Sequence, residues 1–187
     1  MDRKAQPLDA VAFRRATGAD AAAIAVLHAE SWRRTYRGAY ADSYLDGPVF
    51  EDRATVWQER LARSSNHEVT IVAELGGTVV GFVHVILDRH PQLGAYVENL
   101  HVLDAARGRG VGTGLLDAAA RIVVEHRPGS GVHLRVLEQN TAARGFYVRR
   151  GAKVAEHVVA GPFPGGGTAP ALVVAWPDAA ALLQEPD

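Results

Sequence analysis

Residues 98–120, ENLHVLDAARGRGVGTGLLDAAA, decide how this chain folds. The segment from Ala95 to Leu103 reads as a strand, and Asp104 to Gly110 as a polar, glycine-containing turn. After it, Val111, Leu115, Leu116, Ala119, Ile122 and Val123 recur at helical spacing. A helix N-terminus leaves backbone N–H groups unpaired and carries partial positive charge, so such a junction attracts anions if no side chain blocks the approach. Gly108, Gly110 and Gly112 remove that obstruction. A nucleotide P-loop would end in Gly-Lys-Ser/Thr, which is missing here. A dinucleotide fingerprint would need G-x-G-x-x-G, but Gly108, Gly110, Gly112 and Gly114 alternate strictly. What remains is R-x-x-G-x-G at Arg107, Gly110 and Gly112. On six residues alone, a turn whose glycines serve only close packing stays open as the alternative.

Working outward, Val11 to Arg14 reads as a short strand, and Thr17 to Asp20 supplies capping residues for a helix from Ala21 to Trp32. On that helix Ile24, Leu27, His28 and Ser31 share one face. A loop containing Gly38, Gly47 and Pro48 leads to a second helix, Glu51 to Arg63. Val69 to Leu75 and Thr78 to Ile86 flank Gly76-Gly77, the pattern of a hairpin with a tight primed turn. Downstream, Val132 to Leu137 is a strand, Thr141 to Arg150 a short helix closed by Gly151, and Val154 to Val159 and Ala171 to Trp176 are the last strands. The total is an α/β single domain, a mixed sheet of about seven strands flanked by about four helices. Crossovers through the third and fourth helices should make some strands parallel. The domain is expected over 11–178, with a flexible segment at 1–10 and a tail at 179–187.

Composition narrows the function. With 20 Lys and Arg against 21 Asp and Glu, a formal charge of -1, no global electrostatic case exists for nucleic acid or an anionic membrane surface. Zero cysteines remove disulfides, thiolate nucleophiles and thiolate metal sites together, which suits a cytoplasmic protein. The polar start Met1 to Leu8 lacks the apolar core of a secretory signal, and charged residues interrupt every hydrophobic stretch before it reaches membrane-spanning length. The histidines show neither H-E-x-x-H nor a short H-x-H spacing, so no metal is expected.

Two motifs in order then suggest a family. The Arg107 to Gly112 turn, preceded by Leu100 to Asp104, resembles the pyrophosphate signature of GNAT N-acetyltransferases. Some 30 residues on, Asn140-Thr141-Ala142-Ala143-Arg144-Gly145-Phe146-Tyr147 resembles that family's second signature, N-x-x-A-x-x-F-Y, followed by Gly151. The resemblance runs from about Val11 to Trp176. It departs at Ala152, where many members carry an aromatic.

The resemblance implies the GNAT fold and acetyl-CoA as cosubstrate. The backbone of Leu100, His101 and Val102 would pair with the pantetheine arm, which mimics a strand through its amides. The turn Arg107, Gly108, Arg109, Gly110, Val111, Gly112 and Thr113 would hold the pyrophosphate, and Asn140 and Ala143 would meet the pantetheine end. Asn140 also suits the N-cap of the following helix, and both roles are compatible. Tyr147 becomes the general acid for the departing thiolate. Glu98 is the leading base for the acceptor's ammonium, with His84 and His101 as competitors. Transfer would be direct, the carbonyl polarised by a strand N–H, because no cysteine and no G-x-S-x-G elbow is present.

In this family the region between the first strand and the hairpin helps to form the acceptor site. Trp32 and Tyr36, at i and i+4, are therefore expected in substrate binding together with His84. Packing of the two rings onto the sheet is the plainer reading. Arg33, Arg34 and Arg37 read as a solvated face, or else as selectors of an acidic substrate or partners of the CoA 3'-phosphate. The partner is a small-molecule or peptide amine, an amino-acid-like or protein amine ahead of an antibiotic or polyamine. A silent acyl-CoA-binding module is the competing class, disfavoured by Asn140 and Tyr147. The loop Gly161 to Gly167 has two open uses, bordering the acceptor site or forming a homodimer interface.

Overall fold

In the computed structural model, which describes residues 10–63 and 65–184, the elements follow the expected order. They are β1 (Ala12–Arg15), α1 (Ala21–Thr35), α2 (Asp42–Leu45), α3 (Val49–Ala62), β2 (Glu68–Leu75), β3 (Thr78–His90), β4 (Gly94–Val102), α4 (Val111–His126), β5 (Val132–Leu137), α5 (Thr141–Arg149), β6 (Lys153–Ala160) and β7 (Ala169–Trp176). The short α2 lies inside what reads as loop, because one helical turn carries too few residues to show a period. The expected flexible segment falls outside the described residues except at its last position. The expected tail starts too early: Ala179–Leu183 forms a 3-10 turn whose Ala179 and Leu182 are buried in the main core.

The sheet order is β1-β2-β3-β4-β5-β7-β6. Gly76 and Gly77 both take positive φ, 56° and 81°, the primed-turn geometry that matches strand twist and fixes the β2–β3 register. Among the strands of the described residues, β4 and β5 alone pair in parallel, because α4 carries the chain across the sheet. The second crossover, through α5, leaves room for β7 between β5 and β6, and both of those pair with it antiparallel. The sheet is mixed, as expected.

Helix α4 buries Val111, Leu115, Leu116, Ala119 and Val123 against the sheet. The other face is covered by α1 and α3. There the fully buried Trp57 donates from Nε1 to Nδ1 of His28 at 2.9 Å, so neutral His28 carries its proton on Nε2. His84 lies nearby, its Nδ1 sharing a hydrogen bond of 2.8 Å with Thr70. Burial pushes His28 well below the ordinary histidine range, and His84 down to about 3.

Unfolding therefore exposes imidazoles that bind protons the folded chain refuses. Stability is fully present above about pH 6.5 and falls as the pH drops, by about 1.4 kcal/mol per pH unit for each such histidine. For His84 this continues to its folded value near 3. At pH 5, unfolding should take up about two protons through these residues and a third through His101, which burial also lowers to about 3, all read together in the slope of unfolding free energy against pH. A flat profile between pH 6.5 and 5 would show that they are not buried neutral.

Candidate active site

The opening for a ligand is set by β4. It pairs with β3 along its length, but with β5 only at Ala95 and Tyr96. Beyond Tyr96 the two parallel strands diverge. The register explains the bend: Val85 pairs with Val97 and His84 with Asn99, so Glu98 is an extra residue, a β-bulge. Ala95, Val97, Leu100 and Val102 join the core beneath α4. Glu98 and Asn99, inserted between Val97 and Leu100, both face the opposite side, where they line a cavity with Tyr96. Simple alternation would have sent these neighbours to opposite faces.

After β4 the chain passes through a 3-10 turn, Asp104–Ala106, into the glycine segment. Gly108 and Gly110 take φ of 75° and 76° while Arg109 between them keeps negative φ. Alternating handedness curls successive N–H groups into a concave nest at the N-terminus of α4, an anion-binding shape. A Cβ at either glycine would meet nothing within 4 Å, so glycine serves conformation there rather than packing. That argues against the packing alternative for these two positions. The Arg107 Nε binds Asp104 at 2.9 Å, and Asp104 also takes Arg34 at 2.6 Å. Both pairs are solvent-exposed and add little stability, but they hold the turn's outer edge.

Helix α5 flanks this nest. Phe146 lies so near Gly112 that a Cβ there would be 3.7 Å from the ring. The two sequence motifs are thus neighbours in space. Asn140 caps α5, its Oδ1 accepting from the Ala143 N–H at 3.2 Å, which leaves its amide nitrogen without a partner among the described residues. Tyr147 is buried beside Phe146 and Trp176. Burial raises its phenol above the ordinary tyrosine value, and the nearby Tyr36 and Tyr96 raise it further. Its hydroxyl has no hydrogen-bond partner among the described residues.

The cavity beside Glu98 has a volume of about 400 Å³. Its aromatic wall comes from α1 and two loops: Trp32 contacts Tyr40 at 5.0 Å between ring centres, and Tyr40 stacks on Phe163 at 4.3 Å. Tyr36 joins this wall, its phenol pushed up to about 12 by burial. Both the packing and the lining descriptions of Trp32 and Tyr36 therefore hold. The polar side is Glu98 and Asn99 with Arg53, Arg60 and Arg135. Arg60 pairs with Glu98 Oε2 at 2.6 Å, and the Asn99 amide donates to the same oxygen at 3.1 Å, while Oε1 has no hydrogen-bond partner among the described residues. Phe163 places the start of the 161–167 loop at the cavity.

The remaining sequence candidates lie elsewhere. His84 lines a second cavity of about 240 Å³ that shares Arg60 with the first, and it is 1% exposed. His101 points toward α1, where Ser31 binds its Nδ1 at 2.8 Å; burial and the positive charges of Arg34 and Arg107 lower it to about 3. Both rings stay neutral near pH 7 and are weak bases. Arg33, Arg34 and Arg37 are taken up by the Leu45 carbonyl, Asp104, and Asp42 with Asp46. They face their own partners rather than the cavity. Sequence reading passed over Arg53 and Arg60, although with Val56 they fall at i, i+3 and i+7 on one face of α3. Among the described residues no group of three or more potential metal ligands occurs, and no helix is long and apolar enough to cross a membrane.

Comparison with known proteins agrees with this geometry. The chain is 27% identical over 148 residues to the uncharacterized N-acetyltransferase YuaI of Bacillus subtilis, covering 78% of this chain and 83% of that protein. Its fold matches the PaiA N-acetyltransferase of Thermoplasma acidophilum, solved in complex with coenzyme A, with a TM-score of 0.70 at 20% identity, over 89% of this chain and 98% of that one. It also matches a variant of the spermidine N-acetyltransferase SpeG of Vibrio cholerae, with a TM-score of 0.64 at 16% identity, over 89% and 92%. Residues 29–152, well over half of the chain and containing both motifs, match the acetyltransferase (GNAT) family, and the chain belongs to that family.

Proposed function

We propose that this chain transfers an acetyl group from acetyl-CoA to a small primary amine by direct attack, with Glu98 as base and Tyr147 as acid. The observation that carries this reading is the bulge at Glu98, where β4 parts from β5. It turns a carboxylate, one of whose oxygens has no hydrogen-bond partner among the described residues, into the cavity, on the strand that runs on toward the glycine nest, while burial keeps the Tyr147 phenol protonated.

The nest fits a pyrophosphate because its N–H groups converge and no side chain covers Gly108 or Gly110. The unpaired edge of β4 at Leu100 to Val102 fits an extended chain with amides. Acetyl-CoA, when bound, supplies the activated thioester carbonyl. An amine acceptor is mostly ammonium at neutral pH. Glu98 Oε1, directly or through a water, takes the first proton and frees the lone pair. Tyr147 gives a proton or a strong hydrogen bond to the departing sulfur and is restored from solvent as the nitrogen sheds its second proton.

Thiol release from acetyl-CoA against a panel of amines tests the reading. Release with some amine is expected, and binding of acetyl-CoA without release for any amine would leave a silent binding module. In Glu98→Gln, kcat/KM should fall by about 10²-fold at pH 7 and recover toward pH 10, where the amine has already lost its proton. A deficit independent of pH would remove the base role from Glu98.

A further inference from the structure

We infer that the acceptor is an amine that also carries a carboxylate, an amino-acid-type molecule rather than a polyamine; this rests on the cavity beside Glu98 being the acceptor site. The argument begins with charge. Three guanidinium groups, Arg53, Arg60 and Arg135, line the cavity against the single carboxylate of Glu98. Arg60 and Glu98 answer each other at 2.6 Å. Arg53 pairs with Asp52, which is not on the lining, through Nη2 alone at 3.1 Å, so its remaining donors and the whole of Arg135 are left.

Among the described residues the Arg53 side chain has one hydrogen bond, the Nη2 contact of 3.1 Å to the Asp52 carboxylate, and it is only 13% exposed. The guanidinium lies 4.4 Å from the centre of the Trp32 ring, and its Nε is buried without a partner. A guanidinium carries five donors and is costly to desolvate with most of them unused. Stacking on Trp32 holds its fork in a fixed plane, the orientation that bidentate recognition of a carboxylate uses. Arg135, from β5, has no ion-pair partner among the described residues. The unpaired charge of Arg135 repels an acceptor that is only an ammonium, and repels a polyamine more strongly. An acceptor with a carboxylate resolves this. Its carboxylate meets Arg53 and Arg135 while its ammonium turns to Glu98 Oε1, the one negative group on the lining. A volume of about 400 Å³ suits a ligand of that size, with Tyr40 and Phe163 beside an apolar side chain.

The test uses the protein saturated with coenzyme A for calorimetry and with acetyl-CoA for turnover. Probes are L-phenylalanine and L-methionine, the methyl ester and the decarboxylated amine of each, L-glutamate, and spermidine. A free acid should bind, and release thiol, about ten-fold or more better than its own ester and decarboxylated amine. Arg135→Gln, on a solvent-exposed strand position, and Arg53→Gln should both bring that ratio toward one. A ratio of one in the unaltered protein, a preference for spermidine, or no binding of any free acid would overturn the inference. Calorimetric preference for the free acids without thiol release would instead leave the inference standing and overturn the transfer reaction.

Discussion

Tyr147→Phe should lower kcat for acetyl transfer by about 10²- to 10⁴-fold while leaving acetyl-CoA affinity and thermal stability nearly unchanged. The hydroxyl has no protein partner to lose among the described residues, and the ring keeps its contacts with Phe146 and Trp176, so the fold has little reason to respond. Only the sulfur leaving group feels the change. Because burial raises this phenol above its ordinary range, it stays protonated across the working pH range, and no alkaline limb in kcat should come from it below about pH 10. The raised value also favours hydrogen-bond donation over full proton release. Single-turnover thiol release with equilibrium binding of acetyl-CoA checks this, and unchanged turnover at normal affinity would remove the acid role.

The second large effect concerns the nest. In the double substitution Gly108→Ala with Gly110→Ala, each alanine must adopt a left-handed backbone at a cost of roughly 1–2 kcal/mol. The turn is exposed and a Cβ at either position meets nothing, so the free chain should relax to another loop conformation rather than unfold. Acetyl-CoA binding must then restore the strained geometry, and about 2–4 kcal/mol corresponds to about a 30- to 1000-fold loss of affinity. Thermal stability should hardly move. Calorimetric titration of acetyl-CoA with a parallel melting curve measures both. Undiminished affinity would show that the nest does not hold the pyrophosphate. Removing Arg107 should cost little stability, because its pair with Asp104 is exposed to solvent.

Tyr147 and the glycine turn were legible because each belongs to a contiguous motif on a local element, a helix or a helix start. Glu98 was legible as a residue, but its geometry was not. Its cavity partners Arg53, Arg60 and Arg135 come from α3 and β5, distant in sequence, and no local period announces that they converge. The arginines that sequence reading did weigh, Arg33, Arg34 and Arg37, were read first as a solvated face, and the fold pairs them with groups on their own side. His84 shows the same limit: a suitable residue type on a suitable strand, turned into a separate buried cluster.

The sequence by itself determined what short-range chemistry encodes: the Gly76-Gly77 hairpin, the apolar stripe of α4, the glycine-opened N-terminus before it, and the α5 motif with its Asn140 cap. Turn residues, periodicity and capping act within a few positions, so they are read directly from neighbouring residues. Tertiary structure decided the rest. The slot taken by β7 between β5 and β6, the burial of Ala179 and Leu182, and the shift in β4 register at Glu98 depend on surfaces contributed by remote segments. Glu98 illustrates the division: its carboxylate is a property of the sequence, while facing the cavity together with Asn99 follows from one extra residue opposite β3, fixed only when the two strands pair.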